Sequence, residues 1–142
     1  MTVWIHRKVA GALVRYEPIS DRLIVVRLNA KPRNITLIQV YGPTTAATEE
    51  EMERFYQDLS RAVKQVPNGN VLLIMGDYNA KVGRREPLAI SSTIGLYGVG
   101  ETNEANEQLE DFHLEHELAL ANTMFKQHPR CLYTSTSPDG DM

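Results

Sequence analysis

Apolar residues fall into short runs along the first half of the chain, and each run ends in residues that turn the backbone. Segments 11–16, 23–28 and 34–41 are rich in β-branched and aromatic residues and predict three strands. Glu17-Pro18-Ile19-Ser20-Asp21 and Asn29-Ala30-Lys31-Pro32-Arg33 carry turn chemistry between them, so a meander is the economical arrangement. Thr48-Glu49-Glu50-Glu51 is a capping-box pattern. Met52, Phe55, Tyr56, Leu59, Val63 and Val66 then recur at helical spacing, with Arg61 and Lys64 suited to the negative end of the helix dipole. Pro67-Asn68-Gly69 stops the helix. Val71-Leu72-Leu73-Ile74-Met75 follows, a continuous apolar run that predicts a strand covered on both faces. A strand, this helix and this strand in succession fit a right-handed parallel crossover, whether or not the two strands are neighbours. Met1 to Ile5 also has the composition of a strand.

Periodicity disappears between Ala80 and Asn103, where glycines accumulate, and a long loop is expected there. A second helix is expected from Asn103 or Asn106 to Glu117, burying Leu109, Phe112 and part of His116. Leu118-Ala119-Leu120-Ala121 then resembles a short strand.

Composition narrows the class without defining it. The chain of 142 residues is one domain's worth, and 42% hydrophobic with 23% charged is ordinary for a globular protein. No apolar stretch nears the roughly 20 residues that span a bilayer, and the start has no basic-then-apolar leader pattern. No membrane partner is therefore expected. A single cysteine, Cys131, excludes an internal disulfide and fits a reducing, intracellular setting, nuclear or cytoplasmic. The formal net charge of −3 means that affinity for phosphate backbones must come from local patches. Lys81 with Arg84 and Arg85 is the best of these. Lys31 with Arg33, and Lys126, His128 and Arg130, are the others.

The candidate chemistry lies where two apolar runs end. Val71 to Met75 leads into Gly76-Asp77-Tyr78-Asn79, placing a carboxylate and a carboxamide at a strand end. In extended geometry both side chains would share one side. A carboxylate can hold water or a hard cation and the amide can donate to a phosphate oxygen, although the same residues also suit an Asx turn. The strand at 34–41 ends similarly, in Tyr41-Gly42-Pro43-Thr44. Other candidates fail on their chemistry. His113 and His116 lack the convergent ligands of a zinc site. Asp77-x-Asn79-x-Lys81 puts a lysine at a calcium-ligand position and lacks the turn glycine. Gly95, Gly98 and Gly100 do not follow a strand in a dinucleotide-binding order. Cys131 has no nearby base.

The ordered pair Tyr41-x-Pro43 and Gly76-Asp77-x-Asn79 resembles the endonuclease/exonuclease/phosphatase superfamily. With the segment from Asn79 to Gly83 and the tail from Leu132 to Gly140, it resembles most the endonuclease domains of non-LTR retrotransposons. That resemblance implies an α/β fold, a two-sheet sandwich flanked by helices, with residues 1–142 forming one partial domain, incomplete at both ends. It implies a Mg2+-dependent phosphodiester hydrolase that nicks DNA. Asp77 would orient and deprotonate the attacking water, Asn79 would hold that water or a phosphate oxygen, and Tyr41 would contact the phosphate. Thr134, matching a threonine that touches the substrate backbone, would bind DNA with Lys81 and Arg84. Ser135 stands where an aromatic residue is common. The family's metal-binding glutamate and its C-terminal Ser-Asp-His element have no counterpart here, and Glu17 lies in a predicted turn. No metal ligand set is therefore assigned, and the isolated chain is expected to be inactive. The alternative is a non-catalytic, domesticated or decayed retroelement fragment with a binding or structural role. Nothing in the sequence specifies oligomeric state.

Overall fold

A computed structural model describes residues 1–44, 46–80, 95–97 and 104–128, with side chains from residue 107 onward in the last segment. The fold is mixed α/β, and the chain divides into two compact units, Met1–Ala80 and Lys81–Met142.

In the first unit a 3-10 helix, Arg7–Ala12, leads into β1 (Leu13–Ser20), followed by β2 (Leu23–Leu28), β3 (Ile35–Tyr41), α1 (Glu49–Lys64) and β4 (Val71–Asp77). The strands form one sheet in the order β1-β2-β3-β4. The first three make the expected antiparallel meander, and α1 carries the chain across so that β4 lies parallel to its neighbour β3. Two boundaries differ from expectation. Residues 1–6 are not a strand, and β1 runs on through Glu17 and Pro18, which the turn chemistry had marked as loop. An outer strand tolerates proline because one of its edges needs no ladder donor.

Helix α1 begins as its sequence demands. Thr48 Oγ1 accepts from the Glu51 amide at 3.2 Å, and a Glu51 carboxylate oxygen accepts from the Thr48 amide at 2.9 Å. Phe55, Leu59 and Ala62 are buried along its inner stripe. At its other end Arg27 Nη2 donates to the Gln65 carbonyl at 2.8 Å, and Asn70 Nδ2 donates to Thr36 Oγ1 at 3.1 Å. These bonds place the helix over the sheet face that carries Leu23, Val25, Ile38 and Val40, all buried.

The opposite face is covered less completely. Ile24 and Val26 are buried there, but Tyr16 is 56% exposed, and Val71, Leu73 and Met75 are 43–46% exposed. The expectation that β4 is covered on both faces is thus corrected. Among the described residues β4 pairs with β3 alone, and its odd-numbered apolar side chains, Val71, Leu73 and Met75, are nearly half exposed. The described residues form a single sheet, and the second sheet of the expected sandwich is not among them. An apolar face of this extent should bind hydrophobic dye. We expect strong enhancement of anilinonaphthalene sulfonate fluorescence, reduced by Leu73→Lys with Met75→Glu; a chain that leaves the dye dark would contradict this exposure.

In the second unit, α2 (Glu104–Glu115) buries Leu109 and Phe112 as expected. The strand anticipated at Leu118 to Ala121 is not formed. Leu120 makes only an isolated bridge and α3 (Ala121–Met124) begins directly after it. Thr123 Oγ1 donates to the Leu120 carbonyl at 2.8 Å, a local bond that closes a helical turn rather than a sheet ladder.

Candidate functional site

Parallel pairing of β3 and β4 brings Tyr41 into register with Asp77, so the two run-ending motifs meet at one edge of the sheet. The Gly42 amide donates to the Asp77 carbonyl at 2.6 Å, which ties the β3 exit to the end of β4. Two glycines permit this approach. Gly42 lies against the backbone of Tyr78, and Gly76, at φ 141°, lies against the Val40 carbonyl, leaving no room for a Cβ at either position.

Asp77 and Asn79 are not arranged as an extended strand would place them. Asn79 adopts a left-handed backbone, φ 51°, and its amide donates to Asp77 Oδ1 at 2.9 Å, forming an Asx turn. Its side-chain Nδ2 reaches back and donates to the Gly42 carbonyl at 2.7 Å. Asn79 therefore ties the turn after β4 to the turn after β3. One of its amide hydrogens is committed to the backbone, and Asp77 Oδ1 is held in a fixed orientation on an exposed carboxylate.

Arg22 completes the edge. The antiparallel β2/β3 ladder sets it beside Tyr41, whose amide donates to the Arg22 carbonyl at 3.0 Å. Its guanidinium lies 5.8 Å from the Tyr41 ring centroid, and Nη1 sits 3.5 Å from the Gly42 carbonyl. A cation over a phenol ring beside a carboxylate makes a surface suited to an anionic oxygen near a proton acceptor. Sequence reasoning overlooked Arg22, although the meander itself carries the signal: the residue before β2 must lie opposite the end of β3. Beneath the edge, burial raises the Tyr78 phenol well above its usual range, helped by the neighbouring Tyr56, and burial pushes Tyr56 up to about 12. Both phenols stay neutral at physiological pH.

The other expected substrate contacts, Lys81, Arg84 and Thr134, lie outside the described residues, as does Cys131. Among the described residues no group of three or more histidine, cysteine or carboxylate side chains converges where a cation would be held. Asp77 alone does not satisfy a hard divalent ion, which takes six or more oxygen ligands, so the described residues do not fit a complete magnesium site.

The two histidines of α2 depart from expectation in one respect. His113 is buried and its Nδ1 donates to the Leu109 carbonyl at 2.6 Å. His116, expected to be at most partly packed, has a side chain only 7% exposed, its ring centroid 4.6 Å from that of Phe112 with the planes tilted by 52°. Burial lowers the His113 pKa below the ordinary imidazole value of 6.5, outweighing the Leu109 bond and the nearby Glu110. The unfolded chain thus binds this proton at a higher pH than the folded one. Stability from a neutral His113 is fully present above about pH 6.5 and is lost as pH falls below it. Urea midpoints between pH 7.5 and 5 should fall for the wild-type chain and flatten in His113→Phe; parallel profiles would remove His113 as the cause.

No helix among the described residues is long and apolar enough to cross a membrane. No protein-family model matches the chain. It is 44% identical over 136 residues, 96% of its length, to proteins named Craniofacial development protein 2 from Tragulus javanicus and Bos taurus. It is also 32% identical over 68 residues, 48% of its length, to the Transposon TX1 uncharacterized 149 kDa protein of Xenopus laevis, of which that match covers 5%. The chain is thus similar to a portion of Craniofacial development protein 2, spanning 23% and 22% of the two relatives' lengths, and more distantly to a transposon-encoded protein.

Proposed function

We propose that this chain is the central part of a divalent-metal-dependent phosphodiester hydrolase, a DNA-nicking endonuclease of the retrotransposon type, and that the edge bearing Tyr41, Asp77 and Asn79 is its phosphate-handling centre. The observation that carries this reading is the register of Tyr41 with Asp77 at the carboxyl ends of two parallel strands, the position where layered α/β proteins gather their chemistry. Similarity to a protein named for a transposon supports it. In this reading residues 1–142 belong to one larger domain, and the half-exposed face of the sheet is where a second sheet packs.

The chain's own groups divide the work. Asp77, with Oδ1 fixed by the Asn79 amide, accepts the proton of the attacking water. The Tyr41 hydroxyl and the Arg22 guanidinium stabilise negative charge on the phosphate oxygens, and such positioned donors supply several kcal/mol at a developing oxyanion. Asn79 holds the Tyr41-Gly42 turn against the Asp77 turn through its 2.7 Å bond, so its contribution includes placement as well as any contact with water or phosphate. Magnesium is the implied cofactor and DNA the implied substrate, with Lys81, Arg84 and Thr134 as backbone contacts. The family's absent glutamate and Ser-Asp-His element would complete the metal site.

Plasmid nicking tests the proposal. The 142-residue chain alone should remain near background with Mg2+, whereas a polypeptide in which the family's missing glutamate and Ser-Asp-His element are restored should convert supercoiled plasmid to open circles. A folded, completed domain with no nicking would leave the second reading, a non-catalytic retroelement fragment, which Asp77's being the one carboxylate at the edge among the described residues favours for the isolated chain.

A further inference from the structure

The end of the first unit opposite this edge is strongly basic. The Asn29 amide donates to the Ala12 carbonyl at 2.7 Å, and Leu13 pairs with Leu28, which brings the 3-10 helix beside the β2–β3 loop. The Arg27 bond to Gln65 brings the end of α1 to the same place. Arg7, Lys8, Arg27, Lys31, Arg33 and Lys64 thereby converge from segments distant in sequence, all but Arg27 exposed, and residues 1–16, 27–34 and 64–70 contain no carboxylate. Of these residues the sequence reading singled out only Lys31 with Arg33.

A second observation marks this end as more than scattered charge. Arg15 and Arg27 stand directly opposite each other on β1 and β2, a like-charged cross-strand pair that opposes sheet formation. Arg15 is partly offset by Glu17 at 2.8 Å, but Arg27 has only a backbone carbonyl and a buried Nε with no partner among the described residues. Three residues before Arg7, Trp4 is 93% exposed. Clustered cations with an exposed aromatic ring on the same short segment are the elements from which single-stranded nucleic acid is held, phosphates on the cations and a base on the ring. An acidic protein fits less well, because protein interfaces deplete charge at their centre.

We propose that this basic end is a binding surface for single-stranded nucleic acid, separate from the Tyr41/Asp77 edge. β3 spans Ile35–Tyr41, so the two surfaces lie about 20 Å apart and no single phosphate reaches both. The surface holds a strand whether or not the distant edge performs chemistry.

Fluorescence anisotropy with single-stranded DNA and RNA of about 20 nucleotides, from about 50 to about 200 mM salt, tests this on the full chain. The wild type should bind with a steep salt dependence and with quenching of Trp4, the sole tryptophan. Arg7→Glu with Lys8→Glu, Lys31→Glu and Arg33→Glu should weaken binding at least about tenfold and reduce the salt slope by about two or more, since each lost contact to a single strand removes about 0.7. Trp4→Ala should weaken binding, and the charge reversal Arg54→Glu on the exposed side of α1 should leave it unchanged. A circular-dichroism melt confirms folding, and Lys31→Ala with Arg33→Ala serves if the reversal variant unfolds. No binding by the wild type, equal binding by the folded basic-end variants, an equal loss with Arg54→Glu, or displacement by polyglutamate at matched charge would each overturn the proposal.

Discussion

Asp77→Ala in the completed domain is expected to lower plasmid nicking by at least about two orders of magnitude, the contribution of a positioned proton acceptor. Asp77→Asn should cost nearly as much, because the amide preserves size and can still receive the Asn79 backbone bond but cannot take up a proton. Tyr41→Phe removes a single hydroxyl from the same edge. Groups acting on one transition state are not additive, so Tyr41→Phe combined with Asp77→Ala should fall little below Asp77→Ala alone. Initial rates of open-circle formation read all three. Asp77→Asn at the unmodified rate would show that the carboxylate does not serve as proton acceptor.

Gly76→Ala is expected to produce the largest loss of stability from a single methyl group. Its φ of 141° lies where an L-residue is strained, and the new Cβ would overlap the Val40 carbonyl on the adjacent strand. Strain of this kind costs about 1–3 kcal/mol, and relieving the overlap requires β3 and β4 to separate at the site, so about 3 kcal/mol or more is expected. Gly69→Ala isolates the two effects: Gly69 also has positive φ, 86°, but its Cβ would meet open space. Urea unfolding should place Gly76→Ala well below Gly69→Ala. Equal losses would mean that β3 and β4 accommodate the methyl group without cost.

Local chemistry was legible in the sequence where one segment determines its own structure. The Thr48/Glu51 capping box and the apolar stripe of α1 needed no partner to be read, and both are present. The meander followed from turn residues at 29–33, and the meeting of Tyr41 with Asp77 followed once β3 and β4 were adjacent. Properties that depend on neighbours were harder. The run from Val71 to Met75 has the composition of a strand covered on both faces, yet exposure depends on what lies beside β4 rather than on its residues. Pro18 signalled a turn but sits in an outer strand that accommodates it. The extended geometry assumed for Asp77 and Asn79 yielded to an Asx turn, because Asn79 gains a backbone partner in Gly42 by adopting a left-handed conformation. Arg22 and the basic end share one reason for being missed: each is assembled by antiparallel pairing from residues that are unremarkable in sequence. His116 was underestimated because its spacing from Phe112 also allows a tilted ring contact.

Backbone amide resonances during titration with a thymidine dinucleotide, whose one phosphodiester is the smallest form of the proposed ligand, test the central claim most directly. With the 142-residue chain and Mg2+, in a Trp4→Ala, Lys31→Ala and Arg33→Ala background that removes the basic-end site, the largest shifts should fall on Gly42, Tyr78 and Asn79 and on the Arg22 guanidinium, and should disappear when Tyr41→Phe and Arg22→Ala are added. Shifts confined to other parts of the folded chain, or unchanged in that double variant, would contradict the assignment of this edge as the phosphodiester site.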